Sequence, residues 1–493
     1  MKLRKYLFAS FLLMLICPHY LSAQYLDTLW TKTHGYDIGE EKAFSVGEDF
    51  KGGYIVAGGF PAYTGLVRTD ATGDSLWYKH LSGGIFNSAF SVCQVQDSGY
   101  IVAGYVVFSI DEGSDLYLIR TDSLGEAIWS KRYGGEADEI GYCIEETPDR
   151  RFIVAGYTNS FGAGNRDVYL VKIDETGDTV WTKTYGGIDV ECGYSVQHTS
   201  DGGYIIAGLT WSFGEGGGDV YLIKTDSLGD TLWTRTYGGP LYDYGHSVQE
   251  TFDGGYIITG ITWSYGAGDN DVYLIRTDEN GATLWTETYG GIDNEYGYSV
   301  QQTSDSGFII AGSTKSYGAG DYDVYLIKTD SDGGVECEAT YGGQQCDEAR
   351  SVRQTSDGGY IVAGYTYSFG AGYSDMYLLK IAPETGISSP KANEREVVIP
   401  RILCSPNPFC RKMEIQINGV SGLSVGSIPK LRIFDITGRM VREIFPYSSS
   451  CILPTIITWD GTDNEDQAVP GGIYFVEFQF GEERISKKVV KIE

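Results

Sequence analysis

The sequence predicts an all-β protein, a seven-bladed β-propeller followed by a small β-sandwich, and three observations carry that prediction. The pairs Gly203-Tyr204, Gly255-Tyr256, Gly307-Phe308 and Gly359-Tyr360 recur at a strict interval of 52 residues, each leading into an Ile/Val-rich run. A repeat of this length means stacked supersecondary units. Each unit holds four short β-type segments, shown by Tyr298-Ser-Val-Gln-Gln-Thr, Gly307-Phe-Ile-Ile-Ala-Gly, Asp323-Val-Tyr-Leu-Ile-Lys and Leu284-Trp-Thr-Glu-Thr-Tyr, and four strands per unit is the make-up of a propeller blade. The repeat stops near Ile381, after which the strand rhythm changes.

Taken in order, residues 1–23 begin with Lys2, Arg4 and Lys5, continue through an apolar stretch from Tyr6 to Cys17 and end on Leu21-Ser22-Ala23. That is the pattern of a secretory signal peptide cut after Ala23, too short to span a bilayer. No later apolar run reaches spanning length, so no transmembrane segment is expected and the mature chain is placed outside the cell or on its outer surface.

Residues 24–381 form the propeller. The Asp-x-Tyr-Leu-Ile-Lys-Thr-Asp segment occurs seven times if the degenerate Leu66-Val-Arg-Thr-Asp70 is included, and the Gly-Tyr-Ile-Val-Ala-Gly segment occurs seven times. The Trp segment, at Trp30, Trp77, Trp129, Trp181, Trp233 and Trp285 with a degenerate copy at Val335, leads the first unit and is missing after Ile381. The chain therefore starts with the fourth strand of a blade whose other three strands lie at 350–381, and pairing the two ends closes the ring. Strand order within a blade follows from side-chain size: Ala43, Ala89, Gly141, Gly193, Gly245, Gly297 and Ala349 occupy one position of the Ser-Val segment, as expected where strands converge on an axis. That segment is innermost, and the Trp segment is outermost with its indole between neighbouring blades.

The run Tyr-Leu-Ile-Lys-Thr-Asp-x-x-Gly-x-x-Leu-Trp resembles the blade signature of quinoprotein-type propellers with a turn one residue shorter, a likeness of skeleton that implies no cofactor.

The charge lies on the repeats. Removing the signal peptide takes the net charge from −29 to −32, and residues 401–493 balance 11 Lys/Arg against 11 Asp/Glu. An acidic propeller argues against nucleic acid or anionic lipid as partner and suits divalent cations, calcium first, or basic ligands; acidity also keeps a secreted β-protein soluble. Eight cysteines remain after cleavage and none recurs at equivalent positions, so disulfides are local additions, with Cys337–Cys346 and Cys404–Cys410 the nearest pairs.

Two sets of repeated positions are candidate sites. Glu41, Glu139, Glu191, Asp243, Glu295 and Asp347 begin six of the innermost strands; facing the axis they form an acid ring suited to calcium, and facing the Gly-Gly turns they act as backbone caps. Asp115, Asp167, Asp219, Asp271, Asp323 and Asp375, before the third strands, have the same two readings. Between the second and third strands, a constant Thr-x-Ser-Phe/Tyr-Gly frame holds a varying residue: Asn159, Trp211, Trp263, Lys315 and Tyr367. Variable side chains on a fixed frame suit ligand binding, with Trp211, Trp263 and Tyr367 suited to stacking on sugars or aromatic groups; the same rings also serve as cover for the next blade's loop. No catalytic residue is identified. The four histidines after cleavage, His34, His80, His198 and His246, show no metal-ligand spacing, and neither a Gly-x-Ser-x-Gly elbow nor a phosphate-binding loop is present.

After a linker at 382–400, residues 401–493 show strand-like runs at Glu414-Ile-Gln-Ile, Leu431-Arg-Ile-Phe-Asp-Ile, Ile456-Ile-Thr-Trp, Gly472-Ile-Tyr-Phe and Lys488-Val-Val-Lys-Ile. With Ser405-Pro-Asn-Pro-Phe409, Phe434-Asp-Ile-Thr-Gly-Arg-Met-Val-Arg442, Trp459-Asp-Gly-Thr-Asp463 and Val469-Pro-Gly-Gly-Ile-Tyr-Phe475, this module resembles the type A C-terminal sorting domain of the type IX (Por) secretion system and the immunoglobulin-like module of flagellar hook-capping proteins. Cys404, Cys410 and Cys451 fall outside that family pattern. The resemblance implies export through the secretion machinery and display at the outer membrane. The expected function is a non-catalytic binding or adhesion module for a glycan or protein ligand, set against a carboxylate-dependent polysaccharide hydrolase or lyase and a structural spacer.

Overall fold

The computed structural model describes residues 26–35, 39–60, 63–81, 84, 86–109, 113–383, 401–405, 412–418, 430–444, 455–465, 467–480 and 483–491. The signal-peptide reading, most of the linker, the Pro406-Asn-Pro-Phe409 motif, and the Cys404–Cys410 pairing fall outside what is described. The chain divides into two compact units, one ending at Ser388 and one beginning at Ser389.

The first unit is built of seven four-stranded antiparallel sheets, an arrangement consistent with a propeller. A representative sheet runs Glu191–His198, Tyr204–Thr210, Asp219–Thr225 and Thr231–Tyr237 in simple meander order. Its second and third strands are buried at every position, which is why they read as continuous apolar runs. The outer strand is mostly exposed, with Trp233 and Thr236 half-buried and Tyr237 buried. In the last sheet the outer place is taken by Thr28–His34, paired antiparallel with Asp375–Ile381.

One hydrogen bond recurs between sheets: Val92, Ile144, Val248, Val300 and Val352 N–H groups donate to Ser45, Ser91, Ser195, Ser247 and Ser299 Oγ at 3.2 to 3.3 Å. Val46 N–H donates in the same way to Ser351 of the last sheet at 3.3 Å. The first strands of successive sheets also touch in order, and that of the last touches that of the first.

Each first strand carries a bulge immediately after its small residue, between Gly193 and Ser195 in the representative sheet. The bulge drives the Cys192 carbonyl onto the second strand, where a Cβ at Gly208 would lie 1.7 Å from that oxygen; only glycine fits. The small residue itself faces the preceding sheet. A Cβ on Gly193 would come 2.9 Å from Val168 Cγ1, so its size reflects sheet-to-sheet approach, and the residue turned to the axis is the bulged one beside it.

The outer Trp lies against the next sheet. Trp181 meets Tyr204 edge-on at 5.9 Å, and Trp77, Trp233 and Trp285 repeat the contact on Tyr100, Tyr256 and Phe308. It also covers the turn glycine: Gly229 has φ +77°, and a Cβ there would lie 2.9 Å from the Trp181 ring. Cys337 and Cys346, expected as a pair, are both free thiols: one lies in an outer strand and the other before the next first strand.

The second unit contains a three-stranded sheet (Arg401–Ser405, Met413–Asn418, Thr455–Trp459) and a four-stranded sheet (Met440–Ile444, Lys430–Asp435, Gly472–Phe480, Glu483–Lys491 in spatial order). Met413, Ile415 and Trp459 from one join Ile433, Val476, Phe478 and Val489 from the other in a single core, a small sandwich. The strands Arg401–Ser405 and Met440–Ile444 add to those read from sequence. Trp459 is 1% exposed and its Nε1–H donates to the Thr462 carbonyl at 2.9 Å.

Candidate functional site: a rim of variable side chains above an axial belt

The bulge that ends the regular part of each first strand aims one side chain inward. Those residues are Phe44, Phe90, Tyr142, Tyr194, His246, Tyr298 and Arg350, and consecutive members touch. Ring centroids lie 5.3 Å apart for Phe44–Phe90, then 5.2, 5.1, 5.5 and 5.2 Å through to His246–Tyr298. The Arg350 guanidinium lies 3.9 Å from the Tyr298 centroid. Together they form a continuous belt from Phe44 to Arg350. It is aromatic on one side and polar at His246 and Arg350, where Arg350 also donates to Glu348 at 2.7 Å and to the Tyr365 hydroxyl at 3.2 Å. Burial, opposed by a hydrogen bond with the Gly297 carbonyl, pushes His246 down to about 4, so it is neutral at pH 7.

Above the belt, the variable residues share one rim. Each sits just past a second strand and donates its N–H to the residue that precedes the first strand: Asn159 to Asp138 at 2.8 Å, and Trp211, Trp263, Lys315 and Tyr367 to Val190, Tyr242, Asn294 and Cys346 at 2.9 Å. Parallel bridges Arg166–Val190, Gly218–Tyr242 and Asn270–Asn294 tie in the preceding sheets. Side chains complete the rim. Asn159 Oδ1 accepts from Arg166 Nε at 3.2 Å, and Tyr242 lies between Trp211 at 6.2 Å and Trp263 at 5.1 Å. Lys315 lies over Tyr322 at 5.5 Å, and Lys42 is over Tyr365 and Tyr367 at 4.7 and 5.6 Å. Trp211 and Trp263 remain 47% and 42% exposed, a large apolar area left in water on two neighbouring sheets.

The repeated carboxylates are tied into loops. Glu191 is fully buried; it accepts from the Gly187 N–H at 2.7 Å, Thr210 Oγ1 at 2.8 Å and the Ser212 N–H at 3.0 Å. Glu139 and Glu295 repeat the set. Asp243 and Asp347 accept from Gly239 and Gly343 N–H at 2.8 and 2.7 Å, and Glu41 is 1% exposed at the equivalent place. This geometry is that of caps on the Gly-Gly turns, the second of the two roles the sequence allows. Among the described residues no group of three or more His, Cys, Asp and Glu side chains is disposed around a metal position. Asp167, Asp271 and Asp323 cap their own loops through Ala and Gly N–H groups. Asp219 has one such donor, Glu215 N–H at 2.8 Å, and burial with the nearby Asp243 charge raises it to about 6.

Sequence reasoning passed over two features. The belt is one; its signal is the glycine inside every second strand, which calls for a bulge. The other is a cation in each third strand, buried in all but Arg68: Lys224 (4% exposed side chain) pairs with Asp201 of the turn between first and second strands at 2.7 Å. Arg68, Arg120, Lys172, Arg276, Lys328 and Lys380 repeat the pair. Burial would raise the Asp201 carboxyl, but Lys224, Thr199 and the Gly203 N–H outweigh it and hold it at about 2. The signal was the Lys/Arg kept at one place in seven otherwise apolar strands.

No family model matches the chain. The regulatory protein FlaEY of Caulobacter vibrioides is 25% identical over 234 residues, 42% of this chain and 24% of the relative. The chain thus spans about a quarter of the length of that curated relative. Among solved structures, PorZ, an essential bacterial surface component of the type-IX secretion system of Porphyromonas gingivalis, is 12% identical at a TM-score of 0.41, covering 90% of this chain and 58% of PorZ. A fungal alcohol oxidase of the AA5 family is 13% identical at 0.47, covering 94% and 100%. An endo-1,5-α-L-arabinanase of Thermotoga petrophila is 11% identical at 0.31, covering 82% and 97%. Likenesses at these scores carry no weight for substrate, partner or location.

Proposed function

We propose that the seven sheets are the blades of a closed propeller whose rim is a non-catalytic binding site for a glycan or protein ligand, carried on an exported, surface-displayed chain. The observation that supports this reading is the gathering of Asn159, Trp211, Trp263, Lys315 and Tyr367 on one rim, with the two Trp rings left exposed above the belt. The repeated carboxylates are committed to turn N–H groups, which favours binding over hydrolysis. Replacing Trp211 and Trp263 by alanine should abolish capture of ligand from a glycan array or a cell-surface extract while leaving the far-UV spectrum and melting temperature within a few degrees of the parent. Capture that survives the double substitution refutes the rim.

The second unit is read as a sorting domain recognised by the export machinery, supported by its ordered motifs and its two-sheet core. Deletion of residues 401–493 should leave the chain in the periplasm of its host; normal surface display of the truncated chain counts against it.

A further inference from the structure

We infer that Arg166 is an anion subsite of the rim, and that the ligand is a glycan carrying an isolated carboxylate, as in a chain of neutral sugars bearing one uronic acid. The inference rests on the rim being the binding site and names the chemistry it recognises.

The chain holds 66 Asp and Glu against 37 Lys and Arg, and the neighbouring cations of the rim and the belt have found carboxylates. Lys42 lies 3.6 Å from Glu40, Lys315 lies 3.2 Å from Asp321, and Arg350 lies 2.7 Å from Glu348. Arg166 pairs with no carboxylate among the described residues. Its guanidinium is stacked 3.9 Å from the Tyr157 centroid, its Nε–H donates to Asn159 at 3.2 Å, and Nη1 lies 3.8 Å from the Cys192 sulfur. The fork is thus held flat and in place by neutral groups, with Nη2 and one edge of Nη1 given no protein acceptor among the described residues. A planar, pre-oriented guanidinium of this kind matches a carboxylate bidentately.

The neighbouring feature supplies the sugar platform. Arg166 bridges Val190, and Trp211 donates its N–H to the Val190 carbonyl, so the backbones of Arg166 and Trp211 stand two strand spacings apart, about 10 Å. A short oligosaccharide can therefore reach from one residue to the other, with a ring on the exposed indole and a carboxylate on the guanidinium. The surrounding acidity repels a run of carboxylates, which is why a single one among neutral sugars fits better than a polyanion.

The full-length protein is tested on an array of neutral oligosaccharides beside counterparts bearing one uronic acid, with titration calorimetry on the best matched pair. The singly acidic member should bind about 10- to 100-fold more tightly, the factor expected for one charge-assisted bidentate contact, and the gap should narrow in high salt. Arg166→Gln should erase the gap between the two members, and Arg166→Lys should restore only part of it. Thermal melts establish that each variant is folded. Equal affinity for both members, or a preference that survives Arg166→Gln, overturns the subsite while the rim stands. Unchanged binding in Trp211→Ala removes the rim itself. Capture of no glycan, with binding of an acidic peptide instead, overturns the glycan class.

Discussion

Glu145→Gln should stabilise the protein above neutral pH and do nothing in mild acid. Glu145 lies three residues beyond the belt, and its carboxylate accepts the His198 N–H of the next sheet at 2.6 Å. At the equivalent positions Gln197, Gln249 and Gln301 accept from Glu250, Gln302 and Gln354 N–H at 2.6 to 2.7 Å. The substitution therefore keeps the bond and removes the charge. Burial raises Glu145 from 4.5 to about 7, against the opposing pull of the His198 N–H and the Arg353 charge. A carboxyl whose folded pKa is raised binds its proton more tightly in the native state, so it draws stability down as pH climbs from 4.5 to about 7 and holds it at the lower value beyond. That interval, at about 1.36 kcal/mol per pH unit, amounts to about 3 kcal/mol. Urea unfolding of parent and variant at pH 4.5, 6 and 8 should give a difference that grows from near zero to about 3 kcal/mol in favour of glutamine. A difference that is constant across pH, or a variant weaker at pH 8, refutes the reasoning.

Three further outcomes follow from the frame. Gly229→Ala meets both a left-handed backbone and the Trp181 ring, and should cost about 2 to 4 kcal/mol with a shift in Trp fluorescence; an unperturbed emission maximum and melt would contradict the contact. Removing residues 24–35 strips the outer strand from the last sheet, and should lower the melting temperature by ten degrees or more if that pairing closes the ring, whereas an unchanged melt would sink closure. Calcium at millimolar concentration, at fixed ionic strength, should leave the melt of the full chain where chelator leaves it, because the repeated carboxylates already accept turn N–H groups; a rise of several degrees would return them to a metal site.

The frame was legible because it repeats. Seven copies of an apolar run give the strands, and the Trp that leads the first copy but follows no last one gives the pairing of Thr28–His34. The rim was legible for the same reason, as variation inside a constant Thr-x-Ser frame. What escaped depends on direction. The small size of Gly193 reads as closeness to the axis, but one bulged residue turns Gly193 to the neighbouring sheet and leaves Tyr194 to join the belt. Whether Glu191 faced a tunnel or a turn was likewise undecidable from spacing, since the Gly187, Thr210 and Ser212 donors that claim it come from three separate segments. The buried pair of Lys224 escaped sequence reading because its partner Asp201 lies 23 residues away in a turn.

The bulge carries an evolutionary consequence. In a regular strand every side chain answers to a partner across the ladder, but the bulged residue is the one left unpaired. Phe44, His246 and Arg350 stand at equivalent places yet share no chemistry, while the Ser hydroxyls and glycines on either side hardly change. Duplication can therefore copy the load-carrying lattice wholesale, and the lining of the axis can drift one unit at a time without disturbing it. His246 and Arg350 are the two belt positions held by neither Phe nor Tyr.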